Sequence, residues 1–364
     1  MTTAAYSITA DQIADVIPVF YNSRRVPLFV GPPGIAKTAF TRVGATELAS
    51  RFGEYVAVRE MHLASMSEVD VRGYLVPNGN QAVFTKPEFW ETVEKSPRGI
   101  LFLDEFVQAS HEVQKAVAPL ILEGRIGEYV LPPGWSVMLA GNGLDDGAGA
   151  NTLLSHIVNR VTIVKITAPD VEVWASWAAT AQLPFELIAF AKYRPDVVFG
   201  SEVPAAADTP YCTPRSMHAL GDIANHFPGG TRAMVDSKLG MALMNGAIGA
   251  GAASEVSALI RTAIKLPSYE DVVNNPSGTT VPSKPDASYA MIMLVAVRAK
   301  LEHAEAIMEY LQRFPPNFAV TGIVSLVRRD KQFVTSRRMH AWVMQNKELL
   351  AKFSKYITEA VAPK

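Results

Sequence analysis

VPLFVGPPGIAKTAFTRV, residues 26–43, is the stretch that decides the fold. Its first five residues are apolar or proline and read as a short buried strand. GPPGIAKT follows at 31–38, and a helical stretch at 39–51 comes directly after. A strand, a glycine-bearing loop and a helix in immediate succession form a cradle for phosphate groups. Backbone N–H groups at a helix start hold anionic oxygens where the chain can approach closely, and Gly31 and Gly34 supply that permissiveness. Lys37 is placed to reach the β- and γ-phosphates as a mobile point charge, and Thr38 offers a hydroxyl to Mg²⁺. The ligand expected is ATP with Mg²⁺, contacted by Gly31, Pro32, Pro33, Gly34, Ile35, Ala36, Lys37, Thr38 and Ala39. One residue departs from the usual pattern: alanine, not glycine, precedes the lysine. Ala36 suits the loop if it starts the helix with negative φ.

Further strands are expected at 56–63, 100–103, 136–140 and 161–166, with a helix at 110–123. Strands alternating with helices at this spacing predict a parallel α/β sheet. Asp104 and Glu105 end one of the buried strands, and Asn142 follows another. In open α/β sheets ligands lie at the carboxyl ends of strands. Asp104 is therefore expected to organise Mg²⁺, Glu105 to orient or deprotonate an attacking water, and Asn142 to hold that water through its neutral amide. Residues 74–84 read as a hairpin around Asn78-Gly79. A second hairpin-like piece at 126–130 is expected to turn at Pro132-Pro133-Gly134. Near the N-terminus, Thr9 and Gln12 form a capping-box pattern ahead of Ile13, Val16, Ile17 and Phe20 at helical spacing.

The strand pattern stops near Pro169. Helical patterns fill 171–266. Residues 267–285 are rich in Pro, Asn, Ser and Gly and read as a linker or long surface loop. Helical patterns resume from 287 to about 356. The chain has 364 residues and a formal net charge of -1, so no basic excess argues for nucleic acid or an anionic membrane. Arg328, Arg329, Lys331, Arg337 and Arg338 form one local basic cluster that reads as a solvated face. Cys212 is the single cysteine and cannot form an internal disulfide. No apolar run approaches the ~20 residues of a membrane span, and no signal segment is visible. A cytoplasmic protein is the expectation. The seven histidines show no zinc-site spacing.

GPPGIAKT (31–38), ILFLDE (100–105), LAGN (139–142), VNRV (158–161) and TPRS (213–216), in that order, resemble the AAA+ ATPases, and most closely their MoxR-like, dynein-related branch. The resemblance covers roughly residues 5–265. It implies an α/β core with a parallel P-loop NTPase sheet flanked by helices at 1–168 and an all-helical lid at 169–266; the composition and helical pattern of the rest divide it into a linker at 267–285 and a C-terminal helical region at 286–364. It also implies a hairpin inserted into the second core helix at about 65–89. Such hairpins often line the pore of a ring, so Tyr74, Leu75 and Val76 are candidates to grip a polypeptide. By the same resemblance Lys37 and Thr38 match Walker A, Asp104 and Glu105 match Walker B, and Asn142 matches sensor 1. Arg160 stands where the branch carries an arginine finger, and Arg215 matches sensor 2 at the start of a lid helix. An arginine finger acts on a neighbouring subunit, so the resemblance implies a homo-oligomer, with a hexameric ring as the expectation. The activity implied is ATP hydrolysis that remodels or activates a protein client, with a von Willebrand factor A domain protein as a partner by analogy. Two alternatives remain: a nucleic-acid translocase or loader, for which Arg72, Lys86 and Arg125 are the candidate contacts, and a slowly hydrolysing assembly scaffold.

Overall fold

The computed structural model describes residues 6–143, 153–200, 209–335 and 337–345. The chain divides into two compact units, one running to Asp170 and one starting at Val171. The first unit contains, in order, β1 (Ser7–Thr9), α1 (Ile13–Ser23), β2 (Val26–Val30), α2 (Lys37–Phe52), β3 (Ala57–His62), α3 (Glu68–Arg72), β4 (Leu75–Asn78), β5 (Gln81–Phe84), α4 (Trp90–Lys95), β6 (Gly99–Asp104), α5 (His111–Glu123), β7 (Arg125–Ile126), β8 (Tyr129–Val130), β9 (Trp135–Gly141), α6 (Ser155–Val158) and β10 (Val161–Thr167).

Six of these strands form one parallel sheet in the order β1-β10-β2-β9-β6-β3. The inner strands are covered on both faces, which explains their continuous apolar runs. Side chains alternate across the sheet with a period of two. Leu28, Leu101, Leu103, Val137 and Leu139 share one buried cluster with Val113, Val117, Leu120 and Ile121 of α5. Phe29, Ile100, Phe102, Met138 and Ala140 share the other with Ile13 and Ile17 of α1 and Ala45 and Leu48 of α2. Each fully buried side chain of this size contributes about 1.5–3 kcal/mol relative to exposure. The capping box at Thr9 and Gln12 is present, with the Thr9 N–H donating to Gln12 Oε1 at 3.0 Å.

The hairpin of β4 and β5 pairs Asn78 with Gln81 and Leu75 with Phe84. Its base is held by the Arg72 guanidinium over the Phe84 ring at 5.5 Å. Tyr74 and Leu75 are 63% and 60% exposed. The second hairpin differs from expectation. β7 pairs with β8 through Arg125↔Val130 and Ile126↔Tyr129, so the turn is Gly127-Glu128, not Pro132-Pro133-Gly134. The prolines, which carry no N–H for a ladder, instead lead into β9: the Trp135 N–H donates to the Pro132 carbonyl at 2.9 Å.

The second unit is helical throughout its described residues: α7 (Val171–Thr180), α8 (Phe185–Tyr193), α9 (Pro195–Phe199), α10 (Pro214–His226), α11 (Gly230–Asp236), α12 (Lys238–Ile248), α13 (Ala250–Ala263), α14 (Tyr269–Asn274), α15 (Pro285–Arg298), α16 (Ala304–Leu311), α17 (Pro316–Arg329) and α18 (Arg337–Gln345). Two features differ from the sequence reading. Residues 267–285 contain α14, started by a Ser268/Asp271 capping box and anchored by buried Tyr269 and Val272. And one buried cluster joins side chains of 174–263 to side chains of 290–342, with α15 at its centre. Met291 to Val295 of that helix are buried on every side, as expected for a helix apolar all round. Residues 346–364, the end of the expected C-terminal region, lie outside the described residues.

Lys192 of α8 is buried in this unit. Its Nζ donates to Glu172 Oε2 of α7 at 2.7 Å and to Ser325 Oγ of α17 at 2.7 Å. Removing one partner of such a pair leaves an uncompensated buried charge, at a cost of about 3–5 kcal/mol. Cys212 is buried, and desolvation pushes its thiol up to about 12. The basic cluster is partly neutralised: Arg338 pairs with Glu305 and Glu309, and Arg329 Nη1 donates to the Ala296 carbonyl at 2.8 Å.

Candidate functional site

Adjacent strands of the sheet end side by side. Register pairs Val30 of β2 with Gly141 of β9, and Leu103 of β6 with Leu139 of β9. The loop 31–36, the Asp104-Glu105 pair and Asn142 therefore meet at the carboxyl ends of three neighbouring strands. Gly31 lies so close to β10 that a Cβ there would stand 2.2 Å from the Ile166 carbonyl oxygen. Its N–H donates to the Gly141 carbonyl at 3.3 Å. Gly34 takes φ +77°, in the left-handed region.

Lys37, the first residue of α2, is 8% exposed. Its Nζ donates to the Gly31 carbonyl at 2.7 Å, the Pro32 carbonyl at 2.9 Å and Asn142 Oδ1 at 3.2 Å. Thr38 Oγ1 donates to Asp104 Oδ2 at 2.8 Å. The other carboxylate oxygen, Asp104 Oδ1, accepts from the Glu105 N–H at 2.8 Å. One carboxylate thus fixes both the start of α2 and the turn after β6. Glu105 has φ +57°. Its carboxylate has no hydrogen bond or ion pair among the described residues.

Ala36 does not start the helix with negative φ. It caps α2 at φ +69° and ψ 28°, in the left-handed region. The loop geometry that glycine normally supplies is kept, and the alanine Cβ is strained to keep it. Left-handed backbone costs an L-residue about 1–2 kcal/mol, while glycine costs about 0.5–1 kcal/mol in unfolded-chain entropy. Ala36→Gly is therefore expected to stabilise the first unit by about 0.5–1 kcal/mol, raising its thermal midpoint by about 1–4 °C. An unchanged or lower midpoint in a calorimetric scan would contradict the strain.

Arg160 follows the short helix α6, with its N–H donating to the Ile157 carbonyl at 2.8 Å. It is exposed, and its guanidinium has no partner among the described residues. Arg215 belongs to the second unit, in the first turn of α10 behind the Thr213 cap. It too is exposed and has no side-chain partner among the described residues. Within the first unit, then, hydrogen bonds bring Lys37, Thr38, Asp104 and Asn142 together.

Sequence reasoning missed Gln108. Its Nε2 donates to the Asn142 carbonyl at 3.3 Å, and its Oε1 accepts from the Asn142 N–H at 3.1 Å. No local pattern marks it, because the two segments meet only through the sheet.

Residues 27–161 match the AAA domain of the dynein-related subfamily. No curated protein matches the chain. Among solved structures, a point mutant of RuvB from Thermotoga maritima is 13% identical, with a TM-score of 0.40 over 91% of this chain and 91% of that chain. NtrX from Brucella abortus, solved in complex with ADP and with ATP, is 16% identical, with a TM-score of 0.32 over 96% of this chain and 69% and 70% of those chains. Among the described residues, no helix is long and apolar enough to cross a membrane. The AAA domain match runs from Pro27 in β2 to Val161 at the start of β10 and so takes in the loop, both acidic residues, Asn142 and Arg160; the chain has the AAA+ P-loop NTPase fold, a six-stranded parallel sheet flanked by helices with a helical C-terminal region.

Proposed function

We propose that this protein is an ATP-hydrolysing AAA+ motor subunit that works in a homo-oligomeric, hexameric ring and remodels or activates a protein client, as MoxR-like proteins do. The observation that carries this reading is the bonded set Lys37–Asn142 and Thr38–Asp104 at the strand ends, next to a Glu105 carboxylate with no partner among the described residues. The donor set fits Mg²⁺. A hydroxyl and a carboxylate oxygen 2.8 Å apart are hard oxygen donors, and Mg²⁺ takes only one or two protein carboxylates beside phosphate and water. When bound through Thr38 and Asp104, it would neutralise charge on the β- and γ-phosphates.

The chain's own groups supply the rest. N–H groups of residues 34–39, in the loop and the first turn of α2, hold phosphate oxygens. Lys37 exchanges its loop carbonyls for the β- and γ-phosphate oxygens, to which a charge-assisted bond is stronger. Glu105 orients the attacking water and takes its proton, and the Asn142 amide holds that water in line. Arg160, exposed and unpaired within its own chain's described residues, reaches the γ-phosphate of a neighbouring subunit. Arg215, in the first turn of α10, corresponds to sensor 2 by the order of motifs.

A protein client is favoured over nucleic acid by the surroundings of the hairpins. Arg72, Lys86 and Arg125 are paired with Glu68, Glu94 and Glu123. Exposed apolar side chains stand on both hairpins beside polar ones: Tyr74, Leu75 and, on the second hairpin, Val130 at 67% exposure. A von Willebrand factor A domain partner follows only from the MoxR-like analogy. ATP turnover and particle mass, measured with and without duplex DNA and with a co-purifying protein, test the reading. Rings whose turnover rises with the protein partner and ignores DNA support it. Stimulation by DNA that disappears at high salt would replace the protein client with nucleic acid. Assembled rings without turnover would leave a scaffold.

A further inference from the structure

We infer that Gln108 is a positioning residue for the ATPase site: its side-chain amide locks Asn142 to the turn that carries Glu105, so that both act on the same water. The inference rests on the ATPase reading above and deepens it.

β9 leaves the ladder at the point where the chemistry begins. Its last bonds to neighbours are the Phe106 N–H to the Ala140 carbonyl at 2.8 Å and the Gly31 N–H to the Gly141 carbonyl at 3.3 Å. Asn142 comes next, and strand pairing extends to neither its N–H nor its carbonyl. Gln108 bonds to both, as a neighbouring strand would, and so extends the ladder by one residue with a side chain. Gln108 is itself fixed to Glu105. Its own N–H and that of Ala109 each donate to the Glu105 carbonyl at 3.0 Å. The chain of contacts therefore runs from Glu105 through the turn to Gln108, to the Asn142 backbone, and from Asn142 Oδ1 to Lys37 Nζ. A carboxamide does this in full at neutral pH, because the position needs one acceptor and one donor at fixed spacing, which an ionised carboxylate or an apolar side chain does not supply. A misplaced water-holding group costs rate far more than affinity, since the ground-state phosphates are held elsewhere.

Two substitutions separate positioning from plain packing. Gln108→Met keeps length and volume and removes both bonds. It is expected to lower kcat by about 10–100-fold while nucleotide affinity changes by less than about three-fold. Gln108→Glu keeps the acceptor, but its ionised form sets a carboxylate against the Asn142 carbonyl. Protonation restores an O–H donor in the place of the amide. Its kcat relative to the parent is expected to recover as pH falls from about 6 toward about 4.3, the ordinary glutamic acid range, a profile that Gln108→Met does not share. Parent-like kcat in Gln108→Met would overturn the inference while leaving the ATPase reading intact. So would equal losses of kcat and affinity in both variants with no recovery at low pH, which mark a packing role. An unsubstituted protein that binds no ATP or turns none over would overturn the ATPase reading itself, and the inference with it.

Discussion

Glu105→Gln is expected to leave ATP binding within about three-fold of the parent and to lower turnover by at least about 100-fold. Glutamine matches the glutamate in size, so the left-handed backbone at this position and the bond from its N–H to Asp104 are kept. What is lost is the capacity to take a proton from water. The carboxylate next in sequence, Asp104, does not stand in for it, being already engaged by Thr38 Oγ1 and the Glu105 N–H. Equilibrium binding of a fluorescent ATP analogue and a phosphate-release assay on the same preparation check both halves. Turnover at the parent rate would remove Glu105 from the chemistry.

Arg160→Ala is expected to leave each subunit folded and able to bind ATP, with ring turnover down by about 10³-fold or more. The side chain is exposed and makes no bond within the described residues of its own chain, so its removal breaks no hydrogen bond or ion pair among them. The sharper test mixes two inactive proteins, Arg160→Ala and Glu105→Gln. With random assembly in equal amounts, about a quarter of the boundaries in a head-to-tail ring combine an intact Glu105 with an intact Arg160 from the neighbour. Partial recovery of phosphate release is the expected result. No recovery at any mixing ratio would mean that Arg160 does not act across a boundary.

What the sequence disclosed depended on how local the signal was. β2, the loop and α2 are contiguous, so one stretch announced them. β6 and β9 were visible because strands covered on both faces are apolar along their whole length. β1 was invisible: Ser7, Ile8 and Thr9 form a short edge strand without a pattern, and their partners in β10 lie more than 150 residues away in sequence. Ala36 misled for a physical reason. Alanine before a helix suggests ordinary helical dihedrals, yet the loop imposes the left-handed conformation and the residue bears the strain. Gln108 was hidden because its partner is a backbone segment 34 positions away. Residues 267–285 looked like a linker by composition, although Ser268 and Asp271 already carried a helix-start pattern that composition outweighed. Arg160 and Arg215 were legible only through the order of motifs, since nothing in either residue's immediate neighbourhood distinguishes it from a surface arginine.

The Lys192–Glu172–Ser325 contact has a bearing on how this molecule can be taken apart. It fastens α7 and α8, near the start of the helical unit, to α17, well over a hundred residues later. A cut at residue 266, where composition suggests a seam, would strip Ser325 from a buried ammonium and bare the faces that α15 covers. The described residues from Pro285 to Trp342 are thus internal masonry of the helical unit, and any shortened version, chimera or tagged fragment of this chain has to carry them.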